Sequence, residues 1–182
     1  MTGFGGQKIE GVCLLEGFKN SDNRGHFGRL FEKGTAGVTN FIVEQVNFSF
    51  TSEKGTIRGL HFQTGLAVES KVVCCIRGSV YDVVLDIRTG SSTFLQWTAV
   101  ELGENGPRSL LIPRGCAHGF QTLEPNTELV YLHDNKYEPN SEQGFHYLSP
   151  QTAIDWPLEV TNISIRDSEL PNIPDTFVGL QS

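Results

Sequence analysis

Apolar residues along the chain come in short bursts, and no segment sustains the 3.6-residue period of a surface helix. From Phe41 onward Ile42, Glu44, Val46, Phe48 and Phe50 alternate with Val43, Gln45, Asn47 and Ser49, which predicts a strand with Gln45, Asn47 and Ser49 on one polar face. Such a face is either solvated or the lining of a pocket. Lys71–Ile76, the pair Arg77-Gly78 and Ser79–Ile87 predict two strands joined as a tight hairpin. In the second of these, Tyr81, Val83, Leu85 and Ile87 share a face, and Asp82, Val84 and Asp86 share the other. Further strands are predicted over Thr93–Leu102, over Ser109–Ile112 (stopped by Pro113) and over Glu128–His133, with an earlier one around Val12–Leu15 followed by a turn at Asn20–Gly25. After Asp155–Leu158 the tail is punctuated by proline and aspartate and leaves room for one short helix near Ser168. Strands that recur every ~10–15 residues point to an antiparallel sandwich or barrel. With no internal repeat, low-complexity stretch or long linker, residues 1–182 are expected to form one domain.

Composition narrows the function classes. The formal charge of −7 over 182 residues argues against nucleic-acid binding, which needs a basic face. No run of 18 apolar residues exists, so no membrane contact is expected, and the N-terminal residues lack the apolar core of a signal peptide, so a cytoplasmic location is expected. Cys13, Cys74, Cys75 and Cys116 show neither paired metal-site spacing nor scaffold density and read as reduced, mostly buried thiols, with Cys74 and Cys75 on opposite strand faces.

The chemistry concentrates at Ile57–Gln63, where Arg58 and His61 bring an anion-binding guanidinium and a proton-accepting imidazole close together. On a regular strand they would face opposite ways, unless a bulge at Gly59 re-aims them. Pro113-x-Gly115-x-x-His118 resembles the second half of the cupin signature. The first half needs two histidines two residues apart and a glutamate to gather a metal, and here the matching place reads His61-Phe62-Gln63, so no metal is expected. His61 and His118 are then free for acid–base work, which calls for orienting carboxylates. No serine or cysteine sits in a nucleophile elbow, and Cys116 is only a weak thiol candidate.

Arg58–Phe62, Lys71–Val73, Gly78–Arg88, Ser92–Phe94, Ile112–Phe120, Glu128–Tyr131, Ile154–Pro157 and Ser164–Asp167 together resemble, in register, the dTDP-4-dehydrorhamnose 3,5-epimerases. The resemblance implies an all-β, cupin-type jelly-roll barrel or sandwich with a few short helices, and a cofactor-independent isomerase that inverts C3 and C5 of dTDP-4-keto-6-deoxy-D-glucose. It implies His61 as base, Asp167 as its orienting partner, Lys71 as a cation near the enolate oxygen, Tyr131 as the acid on the opposite face, and Asp82 as the residue holding His118. Arg24, Phe27, Gln45, Asn47 and Arg58 would line the nucleotide-diphosphate site. Arg24 lies in an N-terminal segment that in such proteins often crosses to a partner, so a homodimer is implied. The alternatives are a single-centre 3-epimerase or a ketoisomerase on a dTDP-, CDP- or GDP-linked sugar, a non-catalytic sugar-nucleotide binder, and a metal-dependent oxygenase. Three places depart from the family pattern: Leu66-Ala67 and Glu69 replace a proline pair and a glutamine, Arg29 replaces an acidic residue, and Leu148-Ser149-Pro150 replaces Asn-Asp-Pro. Glu69 is expected to repel a diphosphate unless an arginine such as Arg29 intervenes.

Overall fold

The computed structural model describes residues 5–15, 17–34, 38, 40–104, 106 and 108–181. Its strands are β1 (Gly5–Gly6), β2 (Cys13–Leu15), β3 (Phe18–Asp22), β4 (Gly25–Arg29), β5 (Gln45–Thr51), β6 (Thr56–Gln63), β7 (Lys71–Arg77), β8 (Ser79–Asp86), β9 (Trp97–Gly103), β10 (Ser109–Ile112), β11 (Cys116–Thr122), β12 (Thr127–His133), β13 (Glu142–Gly144) and β14 (Asn162–Ile163). Among the described residues one short helix, α1 (Ile165–Ser168), follows them, where the sequence left room for it, and one 3-10 turn spans Gly65–Ala67.

The strands build two sheets, one in the order β1-β9-β8-β11-β6-β13 with β14 also on β6, the other in the order β2-β10-β7-β12-β5. Strands β3 and β4 form a separate ribbon. Except for the parallel β14–β6 pair, the pairings are antiparallel, as the strand spacing predicts. This is the jelly-roll arrangement that the resemblance implies.

The expected β7–β8 hairpin does not form. β7 pairs with β10 and β12, whereas β8 pairs with β9 and β11 in the facing sheet. The chain steps between sheets at Gly78, whose φ is +70° and where a Cβ would stand 2.5 Å from the Thr127 hydroxyl. Their apolar runs are nearly continuous because both faces of each strand are covered. Inward, Val73, Cys75, Val80, Val84, Leu110 and Leu129 fill the space between the sheets. Outward, Val83 and Leu85 pack under Phe145, Ile154 and Ile173 from the C-terminal region, and Val72 and Cys74 pack under Leu15, Val38 and Phe41. Cys74 and Cys75 thus lie on opposite faces, as predicted. The two-face assignment of β8 also holds: Asp82 and Val84 point inward and Leu85 outward.

β5 lies at the edge of its sheet with its polarity inverted. Val46, Phe48 and Phe50 are 60%, 82% and 48% exposed, while Asn47 and Ser49 turn inward to line a cavity. Of the polar face read from the sequence, Asn47 and Ser49 line the pocket and Gln45 does not.

Candidate active site

Regular alternation would separate Arg58 from His61, and the pairing of β6 with β11 shows why it does not. His61 pairs with His118 and Arg58 with Phe120, so three steps along β6 match two along β11. The extra residue is a bulge at Gly59-Leu60, which shifts the phase and turns both Arg58 and His61 into a cavity of about 400 Å³ between the sheets. Gly59 has φ +112°, and a Cβ there would come within 2.6 Å of Gly119 Cα. Leu60, fully buried, points the other way into the outer apolar layer.

His61 Nε2 lies 2.8 Å from Asp167 Oδ1, and the other carboxylate oxygen accepts the Gly59 backbone N–H at 3.1 Å. Ser164 caps α1 by accepting the Asp167 N–H at 3.0 Å, which fixes the carboxylate under the bulge. Burial alone would raise the Asp167 pKa, but the His61 bond and charge and the Gly59 N–H outweigh it and hold the carboxyl below its usual range. An ionised carboxylate only accepts, so His61 donates through Nε2, and the neutral ring keeps its lone pair on Nδ1. The same logic orients His118, whose Nε2 lies 3.0 and 3.1 Å from the two oxygens of the fully buried Asp82.

The opposite wall comes from β7 and β12. The Tyr131 hydroxyl is 3.1 Å from Ser49 Oγ, and burial pushes its pKa well up, so it carries its proton at neutral pH. Lys71 Nζ lies 3.1 Å from Glu69 Oε1, while Glu69 Oε2 is 2.8 Å from His133 Nδ1 and accepts from Gln63 at 3.2 Å. Burial favours neutral Glu69, but the His133 bond and the nearby Lys71 charge hold its pKa at about 2. Glu69 is thus a compensated carboxylate within the wall, and the expected repulsion by a bare charge does not apply. Arg29 pairs with Glu32 on the surface and does not line the cavity of its own chain.

Of the nucleotide-site candidates, Arg58 and Asn47 line the cavity, and Arg58 is held by the Thr51 hydroxyl at 3.2 Å and the Phe50 carbonyl at 3.3 Å. Gln45 stands behind, donating to Asn47 at 3.1 Å. Arg24 and Phe27 are not brought to the cavity of their own chain: both sit on the exposed β3–β4 ribbon, Arg24 paired with Asp22 at 2.6 Å and Phe27 72% exposed. Cys116 lies outside the cavity with its thiol pushed up to about 12 by burial, which ends its candidacy as a nucleophile. Gln63, where a second metal-ligating histidine would stand, instead donates to Glu69 and to the Ala67 and Lys136 carbonyls. The sequence reading missed His133, although it stands two residues after Tyr131 on the same strand face. It also missed the rim cluster of Tyr137, Glu142 and Arg166, in which Glu142 accepts Tyr137 at 2.5 Å and pairs with Arg166 at 2.6 Å. No local pattern marks that cluster, because its members come from three separated segments.

Comparison with known proteins agrees with this geometry. The family profile described as dTDP-4-dehydrorhamnose 3,5-epimerase matches residues 6–175. The dTDP-4-dehydrorhamnose 3,5-epimerase of Sinorhizobium fredii is 34% identical over 176 residues, covering 95% of this chain and 90% of that protein. A dTDP-4-dehydrorhamnose 3-epimerase of Streptomyces niveus is 35% identical over 167 residues, covering 88% of this chain and 79% of the relative. The crystal structure of dTDP-6-deoxy-D-glucose-3,5-epimerase from Legionella pneumophila, in complex with dTDP-4-keto-L-rhamnose, superposes with a TM-score of 0.86 at 34% identity, covering 99% of each chain. Fold, site and relatives together place this chain in the dTDP-4-dehydrorhamnose 3,5-epimerase family.

Proposed function

We propose that the protein is a cofactor-independent isomerase that inverts C3 and C5 of dTDP-4-keto-6-deoxy-D-glucose, with His61 as base and Tyr131 as acid. The observation that carries the reading is their placement: His61 stands on β6 of one sheet and Tyr131 on β12 of the other, so a hexose between the sheets has one face toward each. A hydrogen beside the C4 ketone is acidic because the electron pair left behind spreads onto the carbonyl oxygen. His61 Nδ1 takes that proton, and the resulting imidazolium is stabilised by Asp167. Negative charge develops on O4, where the Lys71 ammonium offsets it. Protonation of the same carbon by the Tyr131 hydroxyl from the opposite face completes one inversion; His61 then gives its proton to solvent and Tyr131 takes one back, and the second centre repeats the sequence. His118, held by Asp82, supports the His61 side of the cavity.

Asn47, Gln45 and Arg58 serve the nucleotide diphosphate, Arg58 through its guanidinium fork. Arg24 and Phe27 complete that site from the other protomer of a homodimer. Their distance from their own cavity, and the uncovered apolar face of Val46, Phe48 and Phe50, support this assembly. The second reading is a 3-epimerase, favoured by the Streptomyces niveus relative.

Proton NMR of dTDP-4-keto-6-deoxyglucose incubated with the protein in deuterated water separates the two readings. Loss of both the C3 and C5 signals is expected. Loss at C3 alone establishes the single-centre reaction, and loss at neither position overturns both.

A further inference from the structure

A third carboxylate–imidazole pair lines the cavity, and the proposed reaction does not use it. His133 follows Tyr131 by two residues on β12, with its ring stacked at 6.2 Å and 25° on the tyrosine ring. Across the sheet it stands opposite Lys71 on β7 and Gln45 on β5. Glu69, ionised and buried, accepts from His133 Nδ1 at 2.8 Å, and in the tautomer that makes this bond the uncharged ring carries its lone pair at Nε2. Among the described residues, Nε2 of His133 is the one buried side-chain nitrogen or oxygen with no hydrogen-bond partner. His133 is 9% exposed and lines the cavity. The ring is held by Glu69 at one edge and by Tyr131 at its face, so it does not turn Nε2 toward another protein group. A buried, fixed and unpartnered nitrogen is costly in a native protein and calls for an explanation.

We propose that His133 Nε2 is a specificity contact that accepts a hydrogen bond from a ring hydroxyl of the nucleotide-linked hexose, with Glu69 as its positioning residue. The inference rests on the reading that this cavity takes a nucleotide-linked hexose. A lone pair needs a donor, and both the ketone and the diphosphate oxygens are acceptors. The hydroxyls are the donors that the sugar brings, and the stacking on Tyr131 places the imidazole beside the reacting ring. A site built to bond a hydroxyl rejects an analogue lacking it far more strongly than an apolar wall does, because the buried acceptor is then stranded. The Glu69–His133 pair therefore makes this cavity selective for a hydroxylated sugar, at a position where the family pattern has glutamine in place of Glu69.

The test compares dTDP with dTDP-D-glucose, which keeps ring hydroxyls but has no ketone and so cannot react. H133N leaves an N–H near the Nδ1 position for Glu69 and removes Nε2. Calorimetric titration is expected to show affinity for dTDP-D-glucose reduced about tenfold in H133N, with affinity for dTDP unchanged. In the wild-type protein labelled with 15N-histidine, the His133 Nε2 resonance is expected to move on adding dTDP-D-glucose and to stay in place with dTDP. That second measurement stands even where H133N does not fold. The proposal is overturned by an unmoved resonance, by equal changes for both ligands, by no loss for either, or by a wild-type protein that gains no affinity from the hexose. Failure of the wild-type protein to exchange C3 or C5 hydrogens would count instead against the proposed reaction, which the binding comparison does not presuppose.

Discussion

Asp167 uses both carboxylate oxygens at once, one to fix the His61 tautomer and one to hold the backbone of the bulge that aims His61. D167N keeps the shape but no longer stabilises the imidazolium, so kcat is expected to fall by about 10²–10⁴-fold with the fold retained. Turnover close to wild type in a folded D167N would remove Asp167 from the mechanism. Glu69 makes a prediction of stability. Its carboxyl is lowered from 4.5 in the ordinary state to about 2 in the fold. A depressed pKa contributes stability that is complete above about 4.5 and is lost as pH falls toward about 2. The whole displacement corresponds to about 3 kcal/mol, of which about 2 kcal/mol should disappear between pH 6 and pH 3. Urea unfolding of the wild type and E69Q at those two pH values reads this directly, and E69Q should lack that part of the pH dependence.

At the level of the element, the informative feature is the mismatch of three residues against two where β6 meets β11. The sequence raised a bulge at Gly59 only as a condition, since period two alone separates Arg58 from His61. A Cβ at Gly59 would meet both Gly119 Cα at 2.6 Å and the His118 carbonyl at 2.7 Å, in a backbone conformation that L residues rarely adopt. G59A is therefore expected to cost about 2 kcal/mol or more in urea unfolding, and to lower activity further by mis-aiming His61. The inward polar face of β5 was legible because alternation survives at an edge strand. The partners of β7 and β8 were not legible, because strands covered on both faces lose their alternation and a tight glycine turn then reads as a hairpin. Nor was the Glu69–His133 contact, whose members lie 64 residues apart and meet only through the pairing of β7 with β12. Asp167 was nameable through family resemblance alone, since nothing local marks an aspartate at the start of a four-residue helix as the partner of His61.

For the whole molecule, the proposed reaction assigns one sheet to each face of the substrate, and the proposed dimer lends each cavity an arm from its neighbour. If Arg24 acts across the interface, R24A and H61N each abolish turnover at limiting substrate, yet mixing them after unfolding and refolding restores about a quarter of wild-type activity. That fraction arises because half of the dimers are mixed and one of two sites in each is intact. Failure of the mixture to recover activity would place Arg24 outside the neighbouring site. The two-walled cavity itself is tested most directly by Y131F incubated with dTDP-4-keto-6-deoxyglucose in deuterated water, with hydrogen exchange and inversion followed together by NMR. With the base wall intact and the acid wall silenced, the C3 hydrogen should still exchange through His61 while inversion falls by about 10²-fold or more. Inversion that persists at the wild-type rate, or exchange and inversion lost in equal proportion, would contradict the assignment of the two proton transfers to opposite sheets.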